Sequence, residues 1–98
     1  MATASLSTHV LDTGAGRPAP GVTVELIYGG ELIAWAQTDD DGRASLGDEL
    51  VPGIYRLAFA SPPSAFFLRV ELELELAEGH YHVPLVVSPY SCASYRGS

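Results

Sequence analysis

Apolar and polar positions alternate along much of this chain, with a period of two. Residues 69–76 show it most cleanly. Val70, Leu72, Leu74 and Leu76 fall on one side, and Glu71, Glu73 and Glu75 on the other. That period predicts a half-buried β-strand. Slipping the register by one residue would turn three carboxylates into the core, so the register is strongly specified. The same glutamates discourage edge-to-edge pairing if the strand lies at a sheet edge.

The rest of the chain divides in the same way. Leu6–Asp12 reads as a first strand, with Leu6, Thr8 and Val10 on one face and Ser7, His9 and Leu11 on the other. The Gly- and Pro-rich residues 13–21 form a loop. Val22–Tyr28 and Leu32–Thr38 are the next two strands, joined by the hairpin signal Gly29-Gly30. Asp41-Gly42 suggests a type I′ turn, after which Arg43 opens a short fourth strand. Residues 47–53 read as a connection, and Tyr55, Leu57 and Phe59 alternate in a fifth strand. After the strand at residues 69–76, His80–Ser88 is a seventh strand and Ser91–Arg96 an eighth. Pro84 removes a ladder donor inside the seventh, which predicts a bulge beside His82. Seven or eight short strands without a helical period predict an all-β sandwich.

With 98 residues, the chain is expected to form a single domain over residues 1–98. One cysteine, Cys92, excludes an internal disulfide framework and reads as a small buried hydrophobe. The net charge of −7 argues against nucleic acid as a partner, because no basic stripe is present. No apolar run is long enough for a membrane span, and the N-terminus lacks the pattern of a signal peptide. A cytoplasmic location is therefore expected. All five cations are arginines, so Schiff-base and P-loop lysine chemistry are excluded.

Three histidines carry the candidate chemistry. His80 and His82 share one face of their strand. His-x-His is also a metal-binding spacing, which His9 would complete as a three-histidine zinc site. Equally, His80 beside Gly79 reads as a solvated turn residue, and His9 as an ordinary hydrogen-bonded histidine. Asp39, Asp40 and Asp41 do not fit a calcium loop, because Gln37 and Asp48 hold its first and twelfth positions.

Several of these weak signals fall together in one pattern. Leu6-Ser7-Thr8-His9-Val10-Leu11-Asp12-Thr13 with Gly16-Arg17-Pro18-Ala19 is one segment of it. Thr38-Asp39-x-Asp41-Gly42-Arg43 and Pro52-Gly53-x-Tyr55 are two more. Tyr81-His82-Val83-Pro84-Leu85, Ser88-Pro89-Tyr90 and the final Tyr95-Arg96-Gly97-Ser98 complete it. Over nearly its whole length the chain resembles the transthyretin-like family, in its 5-hydroxyisourate hydrolase branch. The resemblance implies a transthyretin-like β-sandwich of two four-stranded sheets. It also implies a homotetramer, a dimer of dimers, with active sites at the dimer–dimer interface.

The implied reaction is hydrolysis of 5-hydroxyisourate to 2-oxo-4-hydroxy-4-carboxy-5-ureidoimidazoline, in urate degradation. The family's catalytic residues map onto His9, Arg43, His82 and Ser98. Substrate-binding residues map onto Arg43, Tyr95, Arg96, Gly97 and Ser98. No metal and no cofactor are expected. A neutral imidazole suits activation of water at pH 7, and Arg43 suits a developing oxyanion. Two departures stand out. The segment Ser61–Arg69 is shorter than the family's, so little or no helix is expected, and Cys92 stands where the family has a tyrosine. The alternative is a non-enzymatic carrier holding a small ligand in a transthyretin-like channel.

Overall fold

The computed structural model describes residues 2–97 and contains ten strands and no helix among them. They are β1 (Ala4–Asp12), β2 (Arg17–Pro18), β3 (Thr23–Tyr28), β4 (Glu31–Gln37), β5 (Arg43–Leu50), β6 (Gly53–Ala60), β7 (Arg69–Leu76), β8 (Gly79–His82), β9 (Leu85–Ser88) and β10 (Ser91–Ser94). One sheet runs β4-β3-β6-β7, antiparallel throughout. In the other, β1 is central. It pairs antiparallel with β5 and the short β2, and parallel with β8 and β9, while β10 closes the far edge against β9. Taking β8 and β9 as one interrupted ribbon, and β2 as a continuation of the β5 side, gives four ribbons per sheet. This is the expected all-β sandwich of two four-stranded sheets.

Between the sheets lies one apolar core. Ala4, Leu6 and Val10 of β1 meet Val24 and Leu26 of β3, Tyr55, Leu57 and Phe59 of β6, and Leu85 and Val87 of β9. The parity read from the sequence is therefore correct for β1. In β7 it is correct as well, but only Leu76 is fully buried. This strand is at the sheet edge, so the core covers its apolar face from one side alone. Its three glutamates point outward, and Arg69 clamps Glu71 at 2.9 Å and Glu25 of β3 at 2.8 Å. Among the described residues no helix is long and apolar enough to cross a membrane.

Four expectations change. The turn after β4 is not a hairpin, because β4 and β5 belong to different sheets. Nor is it type I′: only Gly42 has positive φ, at 76°, whereas that turn requires it at both central residues. Residues 47–50 do not form a connection but extend β5 to Leu50 against Ala4. The seventh strand divides at Val83-Pro84, yet no bulge forms there. Ser7↔His82 and Val10↔Leu85 have the same offset, so pairing resumes in the original register. Thr8 fills the gap, donating its buried hydroxyl to the Val83 carbonyl at 2.6 Å. The eighth strand ends at Ser94 and not at Arg96, and Tyr95 and Arg96 beyond it are exposed in this one chain.

Candidate active site

The solvent face of the β1 sheet gathers the polar side chains. Register alone brings them together. Side chains opposite each other in a sheet point to the same face, and three successive rows cross β1. Ser5 stands opposite His80. Ser7 stands between Ser45 of β5 and His82 of β8. His9 stands opposite Arg43. Residues distant in sequence thus form one cluster, and an open cleft of about 670 Å³ lies over it, lined by Ser7, Asp39, Arg43, Ser45, His80 and His82 among others.

Arg43 is positioned by the turn before it. The Asp39 carboxylate accepts the Asp41 and Arg43 backbone N–H groups, each at 2.9 Å. The Asp39 N–H donates to the Arg43 carbonyl, and the Gly42 N–H to the Asp39 carbonyl, both at 2.9 Å. The aspartate run is therefore a backbone brace for Arg43. Among the described residues no carboxylate side chain pairs with the Arg43 guanidinium.

His9 Nε2 lies 2.8 Å from the Asp41 carbonyl oxygen. A carbonyl only accepts, so Nε2 carries a proton and, in the neutral ring, Nδ1 is bare. Nδ1 of His82 lies 2.9 Å from Ser7 Oγ, and among the described residues Nε2 of His82 has no hydrogen-bond partner. Burial lowers the His82 pKa from its ordinary value, and the positive charge of Arg43, then His9 and His80, lowers it further. His82 is therefore neutral at pH 7.

Gly97 brings the chain end to this face. Its N–H donates to the His82 carbonyl at 2.6 Å, as an isolated antiparallel bridge. Tyr95 and Arg96 instead line a second cleft, between β7 and Tyr81, where the Arg96 guanidinium stacks 4.2 Å from the Tyr81 ring centre. Ser98 lies outside the described residues. Arg43, His82, His9 and Gly97 are thus brought together, while Tyr95 and Arg96 face elsewhere within this one chain.

The sequence reading missed Ser5, Ser7 and the position of His80. His80 is no free turn residue: its Nδ1 lies 2.6 Å from Ser5 Oγ and its Nε2 3.1 Å from Ser7 Oγ. The available signal was parity, since Ser5 and Ser7 share the outward face of β1 with His9. Cys92 is half-buried against the core, and burial pushes its thiol pKa up, which leaves it a packing residue. Among the described residues, no three His, Cys, Asp or Glu side chains are placed to hold a metal ion.

Comparison with known proteins bears on what this face does. Residues 6–97 match the HIUase/Transthyretin family. The chain is 40% identical over 114 positions to a 5-hydroxyisourate hydrolase of Pseudomonas aeruginosa, covering 95% of this chain and 90% of that protein. It is 39% identical over 112 positions to the 5-hydroxyisourate hydrolase of Caulobacter vibrioides, with 95% and 97% covered. Both alignments are longer than the chain itself, so these relatives carry residues that it lacks. The fold superposes on the structure of Klebsiella pneumoniae 5-hydroxyisourate hydrolase with a TM-score of 0.88 and 34% identity, covering 97% and 99% of the two chains. Sea bream transthyretin in complex with thyroxine superposes with a TM-score of 0.83 and 26% identity, covering 94% and 93%.

Proposed function

The chain belongs to the HIUase/Transthyretin family, and from that premise we propose that it hydrolyses 5-hydroxyisourate in urate degradation. It is an enzyme of the hydrolase branch and not a carrier. One observation carries this reading: Arg43, His9 and His82 share one open sheet face, and the chain end folds back onto His82. A carrier of apolar ligands has no need of that polar set.

In the proposed mechanism, water is the nucleophile. The Nε2 of neutral His82 takes its proton as the oxygen attacks the ring carbonyl of the substrate. Arg43 stabilises the oxyanion that develops, its planar fork suited to a urate-like arrangement of oxygens. His9, held by the Asp41 carbonyl, presents Nδ1 as a second acceptor to water or substrate. Collapse of the tetrahedral intermediate breaks the C–N bond, and the departing nitrogen receives the proton from His82. Ser98 is assigned to substrate orientation on the family's pattern, with Tyr95, Arg96 and Gly97 completing the tail. No cofactor takes part.

The same proposal includes assembly as a homotetramer, a dimer of dimers, which would roof this open face with a second copy. It also includes a cytoplasmic location. The direct test is ultraviolet decay of 5-hydroxyisourate, generated in place by urate oxidase, since the substrate also hydrolyses unaided. Wild-type protein should accelerate the decay and His82→Ala should fall close to background. Decay unchanged by wild-type protein would favour the carrier, and thyroxine binding would then be measured.

A further inference from the structure

Ser5, His80, Ser7 and His82 form an unbroken hydrogen-bonded chain along the outward face of β1 and β8. The links are Ser5 Oγ to His80 Nδ1 at 2.6 Å, His80 Nε2 to Ser7 Oγ at 3.1 Å, and Ser7 Oγ to His82 Nδ1 at 2.9 Å. Each hydroxyl has one proton, and each neutral imidazole has one as well. With the Ser7 hydroxyl donating to one of its two histidines, those counts allow two arrangements of the neutral chain.

In the first, His82 Nδ1–H donates to Ser7, Ser7 donates to His80 Nε2, and His80 Nδ1–H donates to Ser5. His82 Nε2 is then bare and can accept. In the second, every bond is reversed: Ser5 donates to His80 Nδ1, His80 Nε2–H to Ser7, and Ser7 to His82 Nδ1. His82 then carries its proton on Nε2 and can donate. The tautomer of His82 is thus coupled through one hydroxyl to that of His80.

We propose that Ser7 and His80 are positioning residues that set the tautomer of His82, so that reversal of the two Ser7 hydrogen bonds converts His82 from proton acceptor to proton donor. The inference rests on the hydrolase mechanism above and deepens it. The protons balance. As water attacks, its proton goes to His82 Nε2, the Nδ1 proton of His82 goes to Ser7 Oγ, and the Ser7 proton goes to His80 Nε2. The positive charge then sits on His80, which is exposed to water, and not on the more buried His82 beside Arg43. As the C–N bond breaks, His82 Nε2–H passes to the departing nitrogen, and Ser7 and His80 return their protons in turn. No group ends with a net change.

The test combines kinetics with nitrogen-15 NMR of the imidazoles. Ser7→Ala cuts the chain and Ser7→Thr keeps the hydroxyl. For Ser7→Ala, kcat should fall about 10- to 100-fold, a part of the usual general acid–base contribution of about 10²–10⁴, with KM within about twofold. Ser7→Thr should restore most of it. In the neutral wild-type protein, the two ring nitrogens of His82 should resonate between the limits of a protonated and a bare nitrogen. Ser7→Ala, and separately His80→Phe, should move them to a single tautomer. If the His82 shifts and kcat are both unchanged in Ser7→Ala, the coupling does not exist. The NMR readout needs no turnover, so it stands apart from the hydrolase reading, which is decided by the decay assay with His82→Ala.

Discussion

The backbone N–H of Gly97 donates to the carbonyl of His82 at 2.6 Å, and a methyl group on Gly97 would lie 2.9 Å from Cδ2 of the His82 ring. The chain end and the proposed base are therefore fitted to one another with no room for a side chain. This relationship gives the resemblance in the final tetrapeptide a physical meaning: glycine is the residue that lets the tail lie along β8. Gly97→Ala should cost little stability, because the ring can swing aside and the His82 carbonyl oxygen, 3.2 Å from the added methyl, need yield only slightly. That swing removes His82 from its hydrogen bond to Ser7, so kcat should fall roughly 10- to 100-fold, within the range that general acid–base groups supply. A Tm within about 2 °C of wild type alongside that kinetic loss is the expected pair of results; a matching loss in Tm would mean that the tail is structural.

Gly42 is a different kind of glycine. Its φ is 76°, and a Cβ there would stand 2.5 Å from the Val10 carbonyl oxygen, which is backbone and cannot step aside. That carbonyl accepts the Ala19 N–H, while the Gly42 carbonyl accepts the Val10 N–H at 2.7 Å. Gly42→Ala should cost at least about 1–3 kcal/mol. At about 4–8 °C per kcal/mol for a chain of this size, the change is easily read in a thermal melt. Gly16→Ala is the control, since Gly16 has φ 72° with no atom within 4 Å of its would-be Cβ. It should show only the left-handed penalty, about 1–2 kcal/mol. Equal losses at the two sites would mean that the close approach at Val10 adds nothing.

Thr8 supplies the donor for the Val83 carbonyl where the strand is broken at Pro84. Its hydroxyl is fully buried and donates to the Val83 carbonyl at 2.6 Å, at the break between β8 and β9. Thr8→Val preserves shape but leaves that carbonyl without its partner, at a cost of about 1–3 kcal/mol. Urea unfolding should show a lower midpoint with an unchanged slope. An unchanged midpoint would mean that the Val83 carbonyl finds another donor.

How far these features could be read from the sequence depends on where their causes lie. The strand at residues 69–76 is legible because alternation of leucine and glutamate is a local signal with one solution. Gly29-Gly30 is legible for the same reason, and both glycines do take positive φ, at 62° and 80°. The far end of β5 is not legible: Gly47, Asp48 and Glu49 have turn chemistry, and only pairing with β1 holds them extended. The crossing from β4 to β5 is equally hidden, because Asp41-Gly42 has a hairpin's local chemistry whichever sheet follows. Arg43, His9 and His82 were recoverable through a family pattern, but the partners of His80 were not. Whether a histidine beside a glycine is solvated or hydrogen-bonded is decided by Ser5 and Ser7, more than seventy residues away.

The pH dependence follows from the surroundings of His82. Burial first, and Arg43 second, lower its pKa below the ordinary 6.5 of a histidine. The neutral ring is the proposed base, so activity is lost as pH falls through that lowered value. The acid limb of kcat/KM, which reports the free enzyme, should therefore lie below pH 6.5. The sign for stability is the same. In the unfolded chain His82 takes up a proton near 6.5, while the folded protein resists it, so the contribution of neutral His82 is complete above 6.5 and declines as pH falls towards the folded value. Arg43→Gln removes one of the charges that depress the pKa. The acid limb should then move up towards 6.5, even as kcat/KM at its plateau falls about 10²–10³-fold with the oxyanion's partner gone. A limb that stays in place while the plateau falls would confine Arg43 to the oxyanion. A wild-type limb above 6.5 would remove His82 as the base and leave His9, through its bare Nδ1, to take the proton.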